Sequence, residues 1–262
     1  MKEDIKRQLI EWADRYEQPE FVAADPVKFP RRILNSIGRE PLCLTDEEQC
    51  LVETVAVITG WLSYGNRTQI LRAAGFLTGL VTQNRFFFDK RWREFMAVNT
   101  SLYRFYKWSD FAELCERLSL IFTKHGTLEN CVLAYIKPGM THVQALIQAF
   151  KGIRGFPKDD TSACKRLCMT LRWLVRQDSP VDLGIWHLGV QEEDLIIPLD
   201  THVHRTALKL GLTDRKQADF RTAIEITQAL KEVFPKDPLK GDFALFGYGI
   251  EHPKRKTVSK SE

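Results

Sequence analysis

Residues 47–81, EEQCLVETVAVITGWLSYGNRTQILRAAGFLTGLV, decide the fold class of this chain. Leu51, Val55, Ile58 and Leu62 recur at the three- and four-residue steps that place side chains on one face of a helix. A second apolar run, 70–81, follows after Tyr64, Gly65 and Asn66, a short break that includes helix-breaking residue types. Two such runs around a short break predict a helical hairpin. The same spacing returns at 109–123, 128–135 and 143–150, with Lys137, Pro138 and Gly139 as punctuation. Strand signals are scarce. The best, 195–197, is three residues long and is closed by Pro198. The expectation is an all-α protein.

Composition bounds what such a protein does. With 262 residues, 44% of them hydrophobic, the chain has enough apolar material for one sizeable unit, of two lobes sharing a core. Its six cysteines (43, 50, 115, 131, 164, 168) form no CxxC pair, so neither a zinc ribbon nor a four-cysteine iron–sulfur motif is present. Reduced thiols fit a cytoplasmic protein, and no cofactor is expected. The first sixteen residues mix both charge signs, unlike the apolar core of a secretory signal. No uncharged apolar run of about 18 residues follows, so no membrane partner is expected. The net charge of +4 permits a polyanionic partner without pointing to one. Local clusters have to carry that argument.

Two segments do so. On a helical wheel of residues 162–176, Lys165, Met169, Arg172 and Arg176 form one stripe and Leu167, Leu171, Leu174 and Val175 the opposite face. The stripe is either a solvated helix back or the border of a groove for phosphates, with Lys165 nearest the positive end of the helix dipole. The second segment, 196–212, IIPLDTHVHRTALKLGL, places Asp200 where an apolar run ends and an amphipathic helix begins. Aspartate there is a favoured N-cap. One carboxylate oxygen can cap the helix while the other faces a substrate, and an ionised carboxylate stabilises a developing cation.

The 198–212 segment resembles the helix-hairpin-helix DNA glycosylase superfamily, in which the catalytic aspartate opens a helix followed by Thr-His-Val and Arg. WLSYGN at 61–66 is similar to that superfamily's Leu-Ser turn, which fills the space left by an extruded base; Asn66 is the filler in that reading. Residues 223–250 resemble its closing helices, with Asp242 and Phe246 where 8-oxoguanine enzymes hold the flipped base. As a whole the chain resembles an uncharacterised bacterial branch close to the archaeal GO / 8-oxoguanine glycosylases. The resemblance implies one glycosylase-like unit over 1–252, with lobe one at 47–150, lobe two at 1–46 plus 151–252, and a basic tail at 253–262. It implies a nucleoid-associated monomer that acts on damaged double-stranded DNA with no iron–sulfur cluster. Lys165 would be the nucleophile and Asp200 the carboxylate of a glycosylase and AP lyase removing an oxidised base, 8-oxoguanine favoured. Arg166, Arg172, Arg176, His202 and Arg205 would line the DNA.

The chain departs from that pattern in places. The glycine-rich LPGVGxKTA hairpin is absent, and 154–166 reads RGFPKDDTSACKR. Lys165 and Asp200 are 35 residues apart, an interval that an insertion over 177–194 accounts for. Two other functions fit parts of the sequence. Asp200, His202 and His204 alternate as metal ligands do on a strand, which would make a metal-dependent hydrolase. The run Tyr103, Arg104, Phe105, Tyr106, Lys107, Trp108 interleaves cations with aromatics, as in a non-catalytic nucleic-acid-binding protein, or simply packs in the core.

Overall fold

A computed structural model of the chain describes residues 1–83 and 86–253. Among them are eleven α-helices and one two-stranded hairpin, so the protein is all-α. The helices are α1 (Glu3–Tyr16), α2 (Lys28–Ile37), α3 (Asp46–Leu62), α4 (Arg67–Thr82), α5 (Trp108–His125), α6 (Leu128–Tyr135), α7 (His142–Ala149), α8 (Lys165–Val175), α9 (Thr201–Leu210), α10 (Phe220–Lys231) and α11 (Lys240–Glu251). The expected tail lies, from residue 254 on, outside the described residues. None of the described helices is long and apolar enough to cross a membrane.

Helix α3 is the axis of the molecule. Thr45 and Glu48 form a capping box at its start, each side chain bonding the other's backbone amide. Every residue from Val52 to Leu62 is buried, because α2, α4, α5 and α8 pack around it. That covering explains why its sequence is apolar on most faces rather than on one stripe. Gly60 is where α8 comes closest: a Cβ there would run into the Thr170 hydroxyl. Helix α11 packs against both α1 and α9, which brings the two ends of the chain together.

Residues 177–194, expected as an insertion, contain only a short 3-10 turn at Glu192–Asp194 and otherwise no helix. Leu183 and Trp186 donate their amides to the carbonyls of Trp173 (2.7 Å) and Leu174 (2.9 Å), satisfying the open end of α8. The indole of Trp186 donates to Glu53 (2.8 Å) and the Leu188 amide to Glu129 (2.5 Å). Both glutamates are fully buried, and Glu53 also accepts the first amide of α6, from Leu128, at 2.8 Å. The segment is thereby held between α8 and the α3–α6 pair.

Two sequence expectations are corrected. Residues 195–197 are not a strand but irregular buried chain, with the Ile197 amide donating to Thr227 Oγ1 at 3.1 Å. The hairpin lies instead at β1 (Ser101–Tyr103) and β2 (Tyr106–Lys107), joined through Arg104 and Phe105. The paired strand ends Tyr103 and Tyr106 are buried, while Arg104 and Phe105 form the exposed turn between them. The aromatic and cationic run is therefore half core and half surface.

Candidate functional site

Asp200 is the N-cap of α9. Its Oδ1 accepts the amides of His202 (2.8 Å) and Val203 (2.9 Å). Its Oδ2 is turned away from the helix and accepts from Lys165 Nζ at 3.2 Å. The one carboxylate thus caps its helix and faces a lysine 35 positions away, as the sequence suggested. The pair sits at a mouth: the Lys165 side chain is 39% exposed and that of Asp200 14%.

Lys165 is the first residue of α8. The N-cap before it, Cys164, has φ 50°, a left-handed conformation unusual for a residue with a side chain, and makes no side-chain cap. The first helical amides are therefore left without a capping side chain. They open on a cleft of about 560 Å³ lined by Ser63, Tyr64, Gly65, Ser162, Lys165 and Arg166, among others. The α3–α4 turn and the α8 N-terminus, both singled out in the sequence, share this cleft. Asn66 caps α4 by accepting the Gln69 amide (3.3 Å) and is exposed beside it.

Arg166 lies next to the cleft, but its donors are committed within the protein. It bonds the Trp61 carbonyl (2.9 Å), the Tyr106 hydroxyl (2.6 Å) and the Gly155 carbonyl, and its guanidinium lies 5.3 Å from the Tyr64 ring. It pins the α3–α4 turn, the hairpin and the 155 loop together, in place of the phosphate contact expected of it.

Arg172 and Arg176 are also corrected. Neither borders a groove; they are 7% and 0% exposed. Arg172 bonds Asp182 (3.2 Å) and Asp242 (2.7 Å) and lies 4.6 Å from the Phe243 ring. Arg176 bonds Asp182, Glu17 and Asp237, each at 2.6 Å. Burial works against both charges, but the surrounding carboxylates more than offset it and hold both groups charged. Such guanidiniums are not available to phosphates.

Asp242 joins this network to the site. Burial pushes its carboxyl up to about 6, the charge of Arg172 opposes that, and the charge of nearby Asp200 adds to the rise. Phe246 is half-buried and presents its ring edge-on to His202, with centroids 6.2 Å apart. His202 Nδ1 lies 3.0 Å from the Gly249 carbonyl, which also accepts from Arg205 (2.6 Å). Both side chains thus close the C-terminal end of α11, and Arg205 is not turned to a ligand. His204 Nε2 bonds the Arg215 carbonyl, 2.8 Å away. Asp200, His202 and His204 therefore point at three different partners, against the metal-hydrolase alternative. Among the described residues no group of three His, Cys, Asp or Glu is arranged to hold a metal ion.

Sequence reasoning placed Tyr64 only in a break and Arg104 only in the aromatic and cationic run, and did not bring the two together, although the Arg104 guanidinium lies 5.2 Å from the Tyr64 ring. Gly65 has φ 96°, and a Cβ there would collide with the Arg104 guanidinium. The turn needs glycine both for its backbone and for this contact. A glycine after an aromatic at a helix break was the available signal.

Fold and site together define an all-α protein with a lysine–aspartate pair between two helix N-termini at the mouth of a cleft. The chain belongs to the family described as protein of unknown function (DUF2400), whose model matches residues 41–251. That span contains Lys165, Asp200 and Asp242, and leaves α1, α2 and Glu17 before it. No curated protein and no solved structure matches the chain.

Proposed function

We propose that the protein is a DNA base-excision glycosylase with AP lyase activity, using Lys165 as nucleophile and Asp200 as the carboxylate. The observation that carries this reading is the 3.2 Å contact between Lys165 Nζ and an Asp200 oxygen that its helix cap leaves free. An ionised group there stabilises the oxocarbenium character that the sugar's C1′ acquires as the bond to the base breaks.

The chemistry runs in two stages. The C1′–N bond breaks and its electron pair leaves with the base, which takes up the proton that the Lys165 ammonium gives up, and the freed amine bonds to C1′. Ring opening converts this adduct to an iminium. Loss of a C2′ proton then expels the 3′ phosphate, and hydrolysis of the iminium regenerates the amine. The target base has to leave the duplex for any of this to occur. The cleft beside the α3–α4 turn, with Asn66 at its edge, suits a nucleotide in that state.

An oxidised purine such as 8-oxoguanine is the favoured substrate on the sequence resemblance, while Asp242, buried and bonded to Arg172, lies behind the pair and not in the cleft lining. A panel of single-lesion duplexes tests the reading, run with wild type, Asp200→Asn and Lys165→Gln. Base release from one lesion, lost in both variants, is the expected result. Release untouched by either change rejects the assignment.

A further inference from the structure

A second cavity, of about 580 Å³, lies on the other side of the α3–α4 turn, between α4 and the β1–β2 hairpin. Its walls include Gln69, Arg72, Phe76, Tyr103, Arg104 and Trp108, and no acidic residue lines it. Arg72 and Arg104 are exposed and pair with no carboxylate among the described residues. Every buried arginine near the first site is matched to acids; these two are not. Trp108 is fixed by stacking on Phe95 (4.6 Å, 20°) and by the edge of Phe76 (6.0 Å, 79°).

The hairpin tip adds a further observation. Arg104 has φ 53°, a left-handed conformation held at some cost in a residue with a side chain. This conformation is accompanied by an exposed pair, the Arg104 guanidinium at 5.8 Å from the Phe105 ring and Phe105 itself 70% exposed. Phe76, on the facing helix, is 56% exposed. The Arg104 guanidinium also lies 5.2 Å from the Tyr64 ring, so the cavity joins a ring-held cation, the exposed Arg72 and the exposed Phe76.

We propose that this cavity binds an unpaired nucleotide of a nucleic acid, its base stacked on the exposed aromatics and its phosphate held by Arg72 and Arg104. Stacking needs a free planar face, which a single-stranded base has and a paired base keeps inside the duplex. An acidic peptide satisfies the two cations but leaves Phe76 and Phe105 in water. The volume falls within the range of small-ligand sites. The inference shares its nucleic-acid partner with the function proposed above, but none of the chemistry at Lys165.

The test is fluorescence anisotropy with a labelled thymidine 12-mer, a blunt duplex of equal length and an acidic peptide, over a range of salt. Wild type should prefer the single strand. Phe76→Ala, in the cavity wall, should weaken its binding about tenfold with the salt slope unchanged, since stacking carries no counterions. Arg72→Ala should weaken it and lower the slope by about 0.7. All the changed side chains are exposed, so the fold is kept. Base release from lesion duplexes is read separately on the wild-type protein, so its absence overturns the function above without touching this one. Equal affinity for the duplex, equal affinity for the peptide, or a neutral Phe76→Ala overturns the proposal.

Discussion

In Arg176→Met the guanidinium is removed from a fully buried position, leaving Glu17 and Asp237 without their cation and Asp182 with Arg172 alone. Its bonds to these acids are 2.6 Å each, with a further 3.0 Å bond from Nε to Asp237. Charge-assisted bonds contribute about 1.5–3 kcal/mol each, but protonation of a stranded carboxyl and entry of water recover part of the loss. Breaking a buried pair on one side costs about 3–5 kcal/mol, and the variant should fall in that range. In urea, with a slope of about 3 kcal/mol per M for a chain of this size, the midpoint falls by about 1–1.7 M. The pH dependence carries a second signature. Stranded buried acids titrate above their unfolded values, so the variant binds extra protons when folded and regains stability as pH falls from 7 toward 5. A loss under about 1 kcal/mol, together with a shallower salt slope for DNA in the folded variant, would refute the structural role and restore the phosphate contact.

Other outcomes follow from the same structure. Burial raises Glu53 to about 7 against the backbone and side-chain donors around it, so its folded form holds a proton that the unfolded chain loses near pH about 4.3. Its contribution to stability is fully present below that pH and is lost as pH rises through about 7; Glu53→Gln should flatten the urea midpoint across this window. Gly65→Ala should cost about 1–3 kcal/mol in thermal or urea unfolding, because of its positive φ and the Arg104 contact. Adding Arg104→Ala should recover only the steric part. Asp200→Asn keeps a good helix cap and should stay within about 0.5 kcal/mol of wild type, while Asp200→Ala loses about 1 kcal/mol. Base release should fall about a hundredfold in both, separating the cap from the chemistry.

Helix positions were legible wherever one face alone is apolar or a break is sharp. Helix α6 begins and ends at the residues its spacing indicated, and α3 differs by one residue at its start. The double role of Asp200 was legible too, because an N-cap uses one oxygen and leaves the other. The stripe on α8 was not. A wheel shows which residues share a face, but Arg172 and Arg176 face acids supplied by residues 17, 237 and 242, far away in sequence, and by Asp182 in the irregular segment after the helix. Only the packed chain distinguishes that environment from water. The hairpin was hidden for a similar reason: strands of three and two residues are too short for alternation to register. Residues 195–197 misled because a short apolar run is equally suited to buried irregular chain.

The most direct measurement is borohydride trapping on a lesion-containing duplex, followed by mass spectrometry of the peptide that carries the adduct. The account predicts a covalent protein–DNA species attached at Lys165, absent in Lys165→Gln and strongly reduced in Asp200→Asn. Base release by wild type with no trapped adduct, or an adduct on another amine, would contradict it.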